Sequence, residues 1–423
     1  MSHRRLSPPT KRLAGLGRTL ASSLGTLFAL LAISAPAHAL PSFARQTGEE
    51  CAACHIGAFG PQLTPHGMRF KMEGYADTDG KAGKIPLSAM VVGSAGHSKA
   101  DGDSSPSLQE ASVFLGGRLV DHLGAFLQAT TDGHAHNKFS LDNVDIRYAR
   151  TLSLKDSDLL LGVSLNNNPS VTDPFNTAPA WRFPYMSAEL VDTAAPLLAG
   201  GLEMQVAGAN AYALWDNSIY AELGFYKSLS SSFLNDVNVD PLDVKISGAA
   251  PYWRLAYMKD NHVDAWSAGL MGMNTKLVDR TAGGPSDKYN DIGVDATYTY
   301  LGDRKNIYAV NAAYMHERQT LDASSGGDKV SLNRFDVNGS WYYDQTYGLT
   351  AGLFDTNGTG SDNDSRGYIL QADWTPWGKE GSWGSPWANV RLGVQYTGYN
   401  RLGGTSDGAS DHNTLYGFVW TSF

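Results

Sequence analysis

Cys51 and Cys54 are the only cysteines in 423 residues, and His55 follows directly in "GEECAACHIGAFG". The spacing C-x-x-C-H reads as covalent attachment of a c-type haem. Two thiols add to the vinyl groups, and the adjacent imidazole of His55 ligates the iron from one face. The competing readings are a structural disulfide and a thioredoxin-like redox pair. The second of these needs a βαβ setting, which the flanking sequence does not offer.

Residues 1–39 read as a secretory signal. Arg4, Arg5, Lys11, Arg12 and Arg18 precede the apolar run "LGTLFALLAISA", and "AHA" at 37–39 is a small-residue cleavage site. Losing those five basic residues takes the net charge from −9 to −14, which argues against a nucleic-acid partner. No later apolar run reaches the eighteen or more residues of a membrane-spanning helix.

Residues 40–84 form a small unit carrying the C-x-x-C-H motif. Thr64 is placed to cap a helix starting at Pro65 and covering "HGMRFKMEGY". A unit this size is close to the limit of about 40 residues below which a chain needs a staple, and a haem or a larger host would serve. Ligands for the second face of the iron could be His66, Met68, Met72, Met90 or His97, or the iron could lack one. Met/His ligation raises the potential.

From residue 85 to 423 the pattern has period two. Ile292, Val294, Ala296, Tyr298 and Tyr300 alternate with Asp291, Gly293, Asp295 and Thr297; Val144, Ile146 and Tyr148 alternate with Asn143, Asp145 and Arg147; Val390, Leu392, Val394 and Tyr396 alternate with Asn389, Arg391, Gly393 and Gln395. These are strands with one apolar and one polar face. A soluble sandwich or propeller alternates too. Charges on the polar faces, aromatics such as Tyr308 and Tyr314 at strand ends, and connections alternating between short and long favour an outer-membrane barrel. Short turns fall at "LVDH", "LWDN", "MKDNH", "LGDRK" and "YDQT", and long loops at segments such as "HSKADGDSSPS", "KLVDRTAGGPSDK", "TLDASSGGD", "DTNGTGSDNDSR" and "NRLGGTSDGASD". The reading is an all-β, antiparallel barrel of about sixteen strands, starting near residues 85, 108, 124, 138, 157, 203, 218, 251, 263, 289, 305, 329, 346, 366, 386 and 412. The even count puts both barrel ends on the short-turn, periplasmic rim. The small unit enters from that side. The ending "LYGFVWTSF" resembles the C-terminal sorting strand of outer-membrane proteins.

"FARQTGEECAACH" followed by "PQLTPHGMRFKMEGY" resembles the N-terminus of outer-membrane cytochrome–porin fusions, the best known being monohaem cytochromes of iron-oxidising bacteria. "NNNPSVTDPFNTAPAWRFPY" also looks like a loop of that family. The resemblance implies one covalent haem c on Cys51 and Cys54, His55 as proximal ligand, and electron transfer from an extracellular donor, Fe(II) in the iron-oxidising members, to a periplasmic carrier such as a soluble cytochrome. It also implies residence among the lipids of a Gram-negative outer membrane. His66 and Met68 depart from the family's pattern, which leaves the second axial ligand open. The competing function is a porin-type transport protein whose haem unit plugs or gates the pore.

Asp145, Arg147, Glu222, Asp291, Asp295, Arg334, Asp336, Asp373 and Arg391 are expected to face the lumen and pair across the wall. Asp101, Asp103, Asp362, Asp364, Asp407 and Asp411 enrich the long loops in negative charge, which attracts cations, and His134 and His136 beside Asp132 could hold a metal. No Ser-His-Asp, Walker or zincin pattern supports hydrolytic or phosphoryl chemistry.

Overall fold

The computed structural model describes residues 40–423 except 82–83, 133–137, 179–180, 187–194, 361–363, 380 and 385–386. Residues 1–39, expected to be a signal, and His134, His136 and Asp362 lie outside the described residues.

Sixteen strands form the wall: β1 (Leu87–Ser98), β2 (Ser107–Val120), β3 (Leu123–Thr131), β4 (Ser140–Ser153), β5 (Asp158–Asn166), β6 (Val206–Trp215), β7 (Ile219–Ser228), β8 (Ala250–Asp260), β9 (Asp264–Asp279), β10 (Gly283–Tyr300), β11 (Asn306–Leu321), β12 (Asp328–Tyr343), β13 (Tyr347–Gly358), β14 (Ser365–Trp374), β15 (Asn389–Arg401) and β16 (Thr414–Ser422). Each pairs antiparallel with its neighbours in sequence, and β16 closes the ring on β1, from Met90 opposite Ser422 to Ser98 opposite Thr414. Closure leaves no edge strand, the condition for crossing a bilayer with β-structure. Two short strands, Gly102–Asp103 and Val244–Ile246, add to β1 and β9 at the long-loop rim. The expected strand starts fall within three residues of the observed ones, except that β10 begins at Gly283 instead of near 289. "KLVDRTAGGPSDK" is therefore not a loop. Lys276 pairs with Lys288 and Leu277 with Asp287, so β9 and β10 run on as a ladder and turn beyond Asp279.

Alternation sorts the faces as expected. Leu223, Leu255, Val294, Leu349 and Val394 are exposed on the outside, and Tyr298, Tyr308, Tyr347 and Trp374 stand on the same face near strand ends. An exposed apolar band with aromatic girdles is the surface that meets lipid. Left-handed residues make the tight turns of one rim, as with Asp216 (φ 47°) and Asn217 (φ 51°), or Asp344 (φ 51°) and Gln345 (φ 55°). The connection 375–388 breaks that rule by being long on the same rim.

A long loop and the N-terminal unit enter the lumen. After β5 the "NNNPSVTDPFNTAPAWRFPY" loop turns inward, with Val171, Thr172, Asp173 and Phe175 buried. Its partners span the ring. Arg147 of β4 donates to the Thr172 carbonyl (2.6 Å), and Arg254 of β8 pairs with Asp173 (3.2 Å) and with Asp295 of β10. Arg182 pairs with Asp336 of β12 (2.7 Å). Lumen charges thus pair with this loop, with another wall strand as Arg254 does with Asp295, or with the next same-face residue of their own strand, as in Asp145–Arg147 (2.7 Å) and Arg334–Asp336 (3.0 Å). The expected pairing across the wall holds for Asp295, while Asp145, Arg147, Arg334 and Asp336 pair within a strand or with the loop instead. Glu222 instead accepts from Asn210 and Tyr220, and Asp291 from the Leu198 amide.

Placing a cation on the outer face at mid-strand in Leu223→Arg should cost about 2–4 kcal/mol if that face meets lipid. Urea titration of folding into lipid vesicles measures it, and an unchanged midpoint would refute the assignment. Arg254→Met leaves Asp173 and Asp295 buried without their cation, a loss of about 3–5 kcal/mol. The temperature at which the folded band unfolds on a denaturing gel should drop accordingly.

Candidate haem-binding site

The N-terminal unit lies inside the barrel, its ties running from α1 (Pro41–Thr47) through α2 (Cys51–Cys54) to α3 (Pro65–Met72). Ser42 of α1 donates its amide to Ser88 (3.1 Å), Arg304 in a short turn donates to the Ala52 carbonyl, and Asn389 donates to the Ala58 carbonyl (2.6 Å). Tyr75 donates to Asp145 (2.7 Å) and Tyr212 to the Met72 carbonyl (2.7 Å). Lys71 donates to the Asp173 carbonyl (2.7 Å) and the Asn176 side chain (2.9 Å), tying the unit to the inward loop. Burial is the main cause that pushes Lys71 down to about 7. Sequence reasoning missed Lys71, and nothing in its neighbours marks it.

One helical turn puts Cys51 and Cys54 on the same face. Both side chains are half-buried. His55 leaves the turn in extended backbone (φ −121°, ψ 137°) and bridges to Leu63. The loop 56–63 folds back so that the Ile56 amide meets the Gln62 carbonyl (3.0 Å) and His55 Nδ1 lies 3.3 Å from the same oxygen. Gly57 (φ 69°) makes this return possible, and a Cβ there would fall 2.4 Å from the Tyr342 ring. Thr64 accepts from the Gly67 amide (3.2 Å), capping α3 as expected, though the helix ends at Met72, before the left-handed Gly74 and Tyr75. Gly67 lets α3 press on the motif, since a Cβ would come 2.3 Å from the Cys54 carbonyl.

Cys51, Cys54 and His55 open onto one cavity of about 350 Å³, within the range of about 300–1,000 Å³ usual for cofactor sites. Phe43, Phe70 and Tyr75 wall it from the unit, and Phe114, Phe126 and Trp420 from the barrel. The residues fit a c-type haem. An imidazole held at Nδ1 by a carbonyl presents Nε2 as the metal donor. Burial, with Arg391 adding and the Gln62 carbonyl opposing, pushes His55 down to about 4, so the ring is neutral and ready to ligate. Burial first, then Glu49, Cys51 and Asp77, pushes the Cys54 thiol up to about 12. That is the opposite of the depressed value a redox-active thiol needs.

Of the five candidates for the second iron ligand, Met90 alone lines the cavity. Met68 and Met72 point away, into a cluster with Leu160, Phe175 and Tyr212. His66 is exposed and pairs with Glu49 (2.6 Å), and His97 pairs with Asp103 (2.7 Å) at the long-loop rim. Met186, which sequence reasoning missed, also lines the cavity, from the inward loop. Glu49, Cys54 and His66 bring ligand atoms within 4.8 Å of one another, but a metal there would compete for the Cys54 thiol.

Ring closure, apolar belt and polar lumen define a porin-like β-barrel of the Gram-negative outer membrane. No protein-family model and no curated protein matches the chain. Among solved structures it is similar to OmpT of Vibrio cholerae (13% identity, 82% of this chain and 98% of that one, TM-score 0.42). It is also similar to an anion-selective porin from Comamonas acidovorans (14%, 79% and 98%, TM-score 0.44) and to Salmonella typhi OmpF in complex with daunomycin (14%, 80% and 98%, TM-score 0.43).

Replacing both thiols, Cys51→Ser with Cys54→Ser, should abolish haem staining on denaturing gels while the folded barrel still shows its heat-dependent gel shift. Normal staining of the double variant would exclude covalent attachment at this motif.

Proposed function

We propose that this protein is an outer-membrane electron conduit of the fused cytochrome–porin kind, with one c-type haem on Cys51, Cys54 and His55. The carrying observation is that the C-x-x-C-H cavity is walled in part by lumen-facing barrel side chains. Cys51, Cys54 and His55 would hold the haem, which would supply one-electron ferric/ferrous chemistry between an external donor and a periplasmic carrier. The apolar band of such a barrel is about 25 Å tall, too far for rapid tunnelling from one rim to the other. The walls given by Phe114, Phe126 and the inward loop support a haem held within the barrel rather than beneath it.

The transport reading, a pore plugged or gated by the same unit, also places the unit and the inward loop inside the barrel, so solute flux is what separates the two. The donor is proposed as Fe(II), oxidised to Fe(III) outside. The acidic loops support this less than their composition suggests, since Asp364 pairs with Arg401 (3.1 Å) and Asp411 with Lys99 (2.7 Å).

Fe(II) added to intact cells should reduce the haem in stopped-flow spectra, and proteoliposomes should show no solute flux above empty vesicles. A haem that stays oxidised under excess Fe(II) at every pH, yet is reduced by dithionite, removes iron as donor. Solute flux at porin rates would favour transport instead.

A further inference from the structure

We propose that the second axial ligand comes from the barrel wall, and that it is Met90 of β1; this rests on the haem reading above. Among the described residues lining the cavity there is no histidine besides His55, and the thioethers are Met90 and Met186. The N-terminal unit has its own methionines, but Met68 and Met72 are packed into the opposite side of α3. The unit therefore holds one face of the iron and leaves the other to its host.

Met90 is the better placed of the two thioethers. It sits on a wall strand, buried, with Ser112 of β2 and Ser422 of β16 directly opposite. The Trp420 indole N–H lies 3.2 Å from its sulfur. That contact fixes the side chain and leaves a sulfur lone pair for a metal. Trp420 in turn packs edge-on against Phe59, ring centroids 4.6 Å apart, in the loop that positions His55. One indole thus steadies both the thioether and the loop behind the proximal imidazole. Sites on strands are held more tightly than sites on loops, and Met186 lies on the inward loop. A thioether opposite histidine raises the potential, and an N–H donor to the ligating sulfur tunes it further.

Full-length protein in detergent tests this with Met90→Ala, Met90→His, Met186→Ala and Trp420→Phe. Wild type and Met186→Ala should show the sulfur-to-ferric-iron absorption band. Met90→Ala should keep covalent haem and the gel shift, lose that band, bind added imidazole readily and have a lower midpoint potential. Met90→His should restore a low-spin spectrum without the band, and Trp420→Phe should keep the band with a shifted potential. The proposal falls if Met90→Ala retains the band, if Met186→Ala alone loses it, or if haem-loaded wild type lacks it. Absence of covalent haem from the wild type is a separate result, which removes the haem reading itself.

Discussion

A chain crossing lipid with strands must satisfy every backbone N–H and C=O within the sheet, and the ring closed by β16 on β1 does so. The other features follow from that closure. Strand geometry sends alternate side chains to opposite faces, so an apolar exterior forces the remaining half of each strand into the lumen. Those residues include buried Asp145, Arg147, Glu222, Arg254, Asp295 and Arg391, none of which is stable buried without partners. The wall thus creates a polar interior that something must occupy.

Two segments occupy it, and each relies on the other. The inward loop supplies Asp173 to Arg254 and a carbonyl to Arg147, neutralising the middle of the barrel. The N-terminal unit lends its own carbonyls, at Ala52, Ala58 and Met72, to polar side chains of the wall and turns. It is too small to enclose a cofactor. The barrel gives it Phe114, Phe126 and Trp420, and Lys71 and Asn176 lock it to the loop. The asymmetry is physical: strands can close on one another without the unit, whereas its cavity has no wall without them.

Most of the barrel was legible in the sequence because period two and turn chemistry are local signals. Asp216 and Asn217 mark a turn whatever surrounds them. What failed was non-local. The "NNNPSVTDPF" segment reads as a loop with no sign of where it goes, and its burial depends on Arg147 and Arg254, strands away in the chain. The segment around Gly283 and Gly284 reads as loop, yet the cross-strand ladder from Thr275 to Asp287 carries it as strand. Cys51, Cys54 and His55 were legible as a motif, since spacing alone brings them together. Which methionine faces them was not. α3 turns Met68 and Met72 away by its rotation against the wall, and Met186 arrives from a segment more than a hundred residues on.

Charge on the long loops shows the same limit. Counting Asp101, Asp103, Asp364, Asp407 and Asp411 suggests a strongly negative rim. In the fold, Asp103 meets His97, Asp364 meets Arg401 and Asp411 meets Lys99. A paired carboxylate contributes little field beyond a Debye length, about 8 Å at physiological salt. Long-range attraction of cations therefore depends on the unpaired remainder rather than on composition. On the proposed conduit reading, specificity for a donor would then rest on the residues lining the cavity rather than on the rim. Trp181, Arg182 and Tyr185 of the inward loop line that cavity together with Cys51, Cys54 and His55.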